Sequence, residues 1–147
     1  MAGFKRTVTI GRPIEQVFDF ATDLANASKF LPNITKVERV TEGGMKPGAK
    51  FRETRAFKGK ERTAVIEVVD HQRPSVHAAR AAMLGMKATY TFRFYSDGAG
   101  TRVEMIADIA GNFLWWPFLG MMARMMDKED GEYLNRLKEA MAKQSAL

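Results

Sequence analysis

Between Met83 and Asp108 hydrophobic and polar side chains alternate in two runs. Ala88, Tyr90, Phe92 and Phe94 share one face of the first, opposite Lys87, Thr89, Thr91 and Arg93, and Val103, Met105, Ala107 and Ile109 repeat the period in the second. The segment between them, Ser96-Asp97-Gly98-Ala99-Gly100-Thr101, is rich in residues that tolerate hairpin backbone angles. The pattern predicts a long antiparallel hairpin with one wet face and one apolar face that needs a cover. Upstream, Phe4 to Ile10 reads as a strand that Gly11-Arg12-Pro13 ends. Pro13 suits the start of a helix from Ile14 to Thr22, whose Ile14, Val17, Phe18 and Ala21 form an apolar stripe. Asp23 is placed to cap a second short helix reaching Phe30, and Pro32 forces a break. Strands are predicted at Ile34 to Val40, Lys50 to Phe57, Glu61 to Val69 and Val76 to Ala82. A long helix follows the hairpin. Leu119, Met122, Met126, Tyr133 and Leu137 fall on one arc of it, opposite Arg124, Lys128, Asn135 and Lys138, and it alone is long enough to cover the hairpin.

A chain of 147 residues can bury a full core as one domain spanning 1–147. The absence of cysteine excludes disulfides, iron–sulfur clusters, thiolate zinc sites and cysteine nucleophiles. Lys and Arg number 23 against 17 Asp and Glu, a net charge of +6 that favours anionic surfaces. The basic residues are scattered and no nucleic-acid motif accompanies them, so nucleic acid is not an expected partner. No apolar stretch reaches membrane-spanning length, and a cytoplasmic, soluble protein is the expectation.

Several local marks then fall in a telling order. They are Pro13-Ile14-Glu15-Gln16-Val17-Phe18-Asp19-Phe20 with Asp23-Leu24, Phe30-Leu31-Pro32 before a strand, Pro47-Gly48-Ala49-Lys50-Phe51-Arg52-Glu53-Thr54-Arg55, and Tyr90-Thr91-Phe92 followed by Gly100-Thr101-Arg102-Val103. In this order the chain resembles the helix-grip superfamily, which includes the polyketide cyclase/dehydrase-like proteins, the START lipid-transfer domains and the birch-pollen-allergen group. The resemblance implies an α+β fold: a seven-stranded antiparallel sheet curved around a long C-terminal helix, with two short helices after strand 1 and an apolar cavity between. It implies binding or transport of a hydrophobic or amphipathic small molecule such as a lipid, quinone or polyketide-like compound. A cofactor-free cyclase or dehydratase and a chaperone- or ribosome-associated interaction module are its alternatives. Such a fold hosts many activities, so function has to be argued from the site.

On the strand from Lys50, placing Phe51 and Phe57 inward turns Glu53 and Arg55 inward with them. Charges there must satisfy each other or a ligand, unless a bulge rotates the pair to solvent. Ala64 and Ile66 are expected in the neighbouring wall, with Arg62 at its rim. Phe51, Ile66, Tyr90, Phe92, Met105, Met122 and Met126 would hold the apolar body of a ligand, and Glu53 and Arg55 its polar end. Five of the ten methionines lie between Met121 and Met141, where thioethers either adapt to a ligand or fill a core. Glu129-Asp130 interrupts the apolar arc. Either the helix has passed the sheet's rim there, which is the favoured reading, or a carboxylate points into a polar end of the cavity.

The resemblance implies a cavity mouth at the start of the last helix, where Trp115, Trp116 and Phe118 suit a gate, a transient membrane contact, a dimer contact or simple burial, and monomer and dimer both stay open. Pro117 favours an extended Trp116, which would send one indole inward and the other outward. Catalytic signatures are sparse. No nucleophile elbow, phosphate loop, dinucleotide fingerprint or metal spacing is present, and no cofactor is expected. Glu53, Tyr90 and His77 remain acid–base candidates, while His71, after Asp70 in an expected turn, reads as solvated.

Overall fold

A computed structural model describes residues 2–83 and 85–144. Seven strands form one sheet: β1 (Ala2–Ile10), β2 (Ile34–Arg39), β3 (Lys50–Phe57), β4 (Lys60–Gln72), β5 (Val76–Met83), β6 (Met86–Asp97) and β7 (Gly100–Gly111). Their order is β1-β7-β6-β5-β4-β3-β2, antiparallel throughout. Helices α1 (Ile14–Thr22) and α2 (Ala27–Phe30) carry the chain from one edge strand to the other. The predicted hairpin is β6 and β7, closed by a two-residue turn in which Gly98 takes a φ of 61°, the left-handed region such turns require. Asp23 caps as expected, its carboxylate accepting from the Ala25 amide at 3.0 Å in a 3₁₀ turn that leads into α2.

The sheet's concave face carries the core. Val17 and Phe18 of α1, Phe30 of α2, Phe92 and Phe94 of β6, and Val103 and Met105 of β7 pack against Leu134, Leu137 and Met141. Each such burial stabilises by about 1.5–3 kcal/mol. A smaller cluster, Met86, Ile109, Leu119 and Ala123, continues it toward the other end of the sheet.

Two features depart from the sequence reading. The C-terminal helix is broken into α3 (Leu119–Asp130) and α4 (Tyr133–Gln144). Gly131 closes α3 by donating to the Asp127 carbonyl at 2.7 Å, and a Cβ on it would collide with that same oxygen. Both helices pack chiefly over the β1 side of the sheet. In β4 the pairing slips between Val68 and Asp70. The extra residue reverses the facing of the rest of the strand, and His71 lands opposite His77 instead of in solvent.

Candidate functional site

Strand β3 keeps the phase expected of it. Phe51 is buried with Ala49 and Val68, and Glu53 and Arg55 turn to the same concave side. The Arg55 guanidinium then meets three carboxylates. Its Nε donates to Glu53 Oε1 at 2.6 Å, its Nη1 donates to Asp130 Oδ1 at 2.9 Å, and Glu129 Oε1 stands 3.5 Å from Nη1. From the hairpin, the Tyr90 hydroxyl donates to the other Asp130 oxygen at 2.5 Å. The favoured rim reading is therefore corrected for Asp130, which is 7% exposed. Only Glu129 sits at the rim. The helix break explains this: α3 ends at Asp130, over the sheet, where a guanidinium and a phenol satisfy both of its oxygens.

The electrostatics follow from that geometry. Burial works against a charged Arg55, but Glu53 and then Asp130 outweigh it and hold the guanidinium above its ordinary pKa. Burial, reinforced by the Asp130 charge, pushes the Tyr90 phenol far up, so it stays a neutral donor locked onto Asp130. Tyr133 is raised the same way, by burial first and Glu53 second. A phenol so held is a hydrogen-bond donor and a poor proton donor at neutral pH.

Beside this cluster the concave face is lined with small residues. Register places Ala79 beside Tyr90, Ala81 beside Ala88, Ile66 beside Ala81 and Ala64 beside Glu53. Ala64 is exposed, and Ala79, Ala81, Ala88 and Ile66 are half-buried. Met122 and Met126 of α3, also half-buried, pack with Ala88 and Trp115 along the smaller cluster. A partly exposed, small-residue stretch of β4 to β6 therefore lies beside the Arg55 cluster on the same face of the sheet.

An enclosed cavity reaching Phe92 and Met105 is not what forms. Met105 is 0% exposed, so no water-sized space touches it, and Phe92 is buried with its ring 5.0 Å from that of Tyr133. Both belong to the solid core rather than to a cavity wall. Two small concavities lie elsewhere. A crevice of about 10 Å³ runs between Leu24, Met45 and Phe51, and a surface groove of about 400 Å³ separates Gly3 and Phe4 from Gly120 and Arg124.

His77 is buried away from the Arg55 cluster. Its Nδ1 lies 3.0 Å from Nδ1 of His71, whose ring packs at 5.1 Å on Phe18, which corrects the reading of His71 as solvated. Burial first, and the neighbouring His71 second, pull His77 down to about 4. The tryptophans divide as expected, Trp115 half-buried and Trp116 69% exposed. They do so from a 3₁₀ turn at Trp116–Phe118 rather than from extended chain, and Phe118 faces outward at 48% exposure. Among the described residues no group of three or more His, Cys, Asp or Glu could hold a metal, and no helix is long and apolar enough to cross a membrane.

For Asp130 the structure takes the less favoured of the two sequence readings, a carboxylate turned toward a polar cluster, because Arg55 and Tyr90 are there to satisfy it. The small-residue face of β5 escaped the sequence reading, although the run Ala78-Ala79-Arg80-Ala81-Ala82 signals it by putting small residues on both faces of the strand where a packed core would need bulk.

No curated protein sequence matches the chain. Solved structures similar in fold include Ara h 8.0201, at 14% identity and a TM-score of 0.76 over 95% of this chain and 97% of that one. The protein TTHA0849 from Thermus thermophilus matches at 19% identity and a TM-score of 0.75, over 96% and 97% of the two chains. The Zhui aromatase/cyclase from Streptomyces sp. R1128 matches at 20% identity and a TM-score of 0.72, over 94% and 92%. Residues 1–142 match the sequence profile of the family described as "Polyketide cyclase / dehydrase and lipid transport", and the chain belongs to that family.

Proposed function

We propose that the protein binds an amphipathic small molecule on the small-residue face of β4 to β6. The apolar body lies on Ala79, Ala81, Ala88 and Ile66 against Met122 and Met126, and the polar end reaches the Arg55 cluster. The observation that carries this reading is the pairing of an accessible, small-residue sheet face with a polar floor at its end. The floor also constrains the ligand. Three carboxylates around one guanidinium leave a surplus of negative charge, which repels a carboxylate and suits a hydroxyl or a cationic group. A lipid alcohol, a reduced quinone or a hydroxylated polyketide fits these terms, and a fatty acid does not.

Binding is favoured over cyclisation chemistry because Tyr90, Glu53 and Asp130 already spend their hydrogen bonds on one another and on Arg55. His77, the remaining acid–base candidate, bonds to His71. The decisive experiment fills the small-residue face. Ala81→Leu should weaken binding of a neutral flavonoid or long-chain alcohol by at least about tenfold in titration calorimetry, near 1.4 kcal/mol. Ala82→Leu, on the opposite face of the same strand, should leave it unchanged. Equal affinities in the two variants would place the ligand elsewhere.

A further inference from the structure

Nine large hydrophobic side chains are exposed among the described residues, and six of them fall between Phe113 and Met125. Phe113, Leu114, Trp116 and Phe118 are 72%, 65%, 69% and 48% exposed, and Met121 and Met125 are 53% and 57% exposed. Single exposed apolar residues are ordinary, but a contiguous set marks a surface for contact. These residues are held outward by an ordered turn. Asn112 N donates to Gly85 O at 3.2 Å, Leu114 N to the Asn112 side chain at 3.1 Å, and Phe118 N to Trp115 O at 2.8 Å. The half-buried Trp115 anchors the turn to the smaller cluster beneath.

The charge around this patch is basic. Strands β5 and β7 end at this edge of the sheet, and the bond from Asn112 N to Gly85 O sets the β5–β6 turn beside the loop. Lys87, at the start of β6, is exposed beside that turn. On α3, Arg124 and Lys128 follow Met121 and Met125 at helical spacing, and both are exposed, with Glu129 the one exposed acid beside them.

We propose that this end of the molecule docks on a lipid bilayer bearing anionic headgroups. Phe113, Leu114, Trp116 and Phe118 enter the interfacial layer while Lys87, Arg124 and Lys128 meet phosphates. Aromatic side chains ringed by basic ones are the chemistry of an interfacial anchor. A second copy fits less well, because pairing the patch with itself would bring two sets of the same cations together. The inference stands on the patch alone and does not require the small-residue face to bind a ligand.

Co-sedimentation with phosphatidylcholine vesicles, with and without phosphatidylserine, tests it. The protein should bind the phosphatidylserine vesicles, with Trp116 emission shifting to the blue. Phe113→Ala with Trp116→Ala should reduce that binding at least about tenfold while leaving net charge unchanged. Arg124→Glu with Lys128→Glu should remove the preference for phosphatidylserine. All four side chains are exposed, and circular dichroism of the variants checks that the fold is kept. Vesicle binding indifferent to the aromatic pair would reduce the effect to bulk charge and overturn the proposal. So would a concentration-dependent dimer that is lost in Trp116→Ala, with no vesicle binding by the parent protein.

Discussion

Arg55→Leu should cost about 3 kcal/mol of folding stability, the largest loss expected from any single change at the candidate site. Removing one partner of a buried ion pair typically costs about 3–5 kcal/mol, because the charge left behind has neither water nor a counter-ion. Here the stranded groups are Asp130 and Glu53, whose side chains are 9% and 15% exposed. Arg55 itself is 25% exposed, so some solvent reaches the cluster and the lower end of the range applies. Asp130→Asn in the same chain keeps the Tyr90 hydrogen bond and removes the orphaned charge, so the double variant should regain about 1–2 kcal/mol of the loss. Urea melts of the two singles and the double measure it. A loss below about 1 kcal/mol in Arg55→Leu would mean that the cluster behaves as a surface pair.

The inward facing of Arg55 is legible in the sequence because period-two alternation ties it to Phe51, and the phase of one residue settles that of every other on an unbroken strand. The same rule fails on β4. A bulge is a single-residue event with no composition of its own, so nothing in Val68-Val69-Asp70-His71 announces that the register slips there. The long helix is legible in its packed side, with Leu119, Met122, Met126, Tyr133 and Leu137 inward and Arg124, Lys128, Asn135 and Lys138 exposed. Its interruption depends on the tight approach of Gly131 to Asp127, which spacing alone does not encode. The fold is legible because many residues vote for it together. The site depends on a few three-dimensional contacts, above all Asp130 with Arg55 and Tyr90, whose partners lie 75 and 40 residues away in the chain.

Acid should destabilise this protein through its histidine pair. The two Nδ1 atoms are 3.0 Å apart, a gap that holds one proton, with one ring donating and the other accepting. Burial lowers His71 as well, but it is less deeply buried than His77, and Asp70 on its own strand and Asp19 of α1, the latter paired with Arg73 at 2.8 Å, partly offset the shift. The first proton added on acidification therefore goes to His71, and the second must enter the buried His77, against burial and against a charged neighbour. The folded-state pKa of His77 is about 4, against an ordinary value of 6.5 that the unfolded chain retains. Because folding lowers this pKa, the unfolded state takes up the proton first. The contribution of His77 is full above pH 6.5, falls as the pH drops from 6.5 toward 4, and loses nothing further below that. The interval is worth about 3 kcal/mol. Asp19, whose pKa its hydrogen bond to Arg73 holds below 3.8, loses its contribution only in stronger acid, so the two effects separate along the pH axis. Urea melts across this range should show the loss in the parent protein and a much flatter profile in His77→Gln. Parallel profiles in the two proteins would show that the destabilisation comes from other groups.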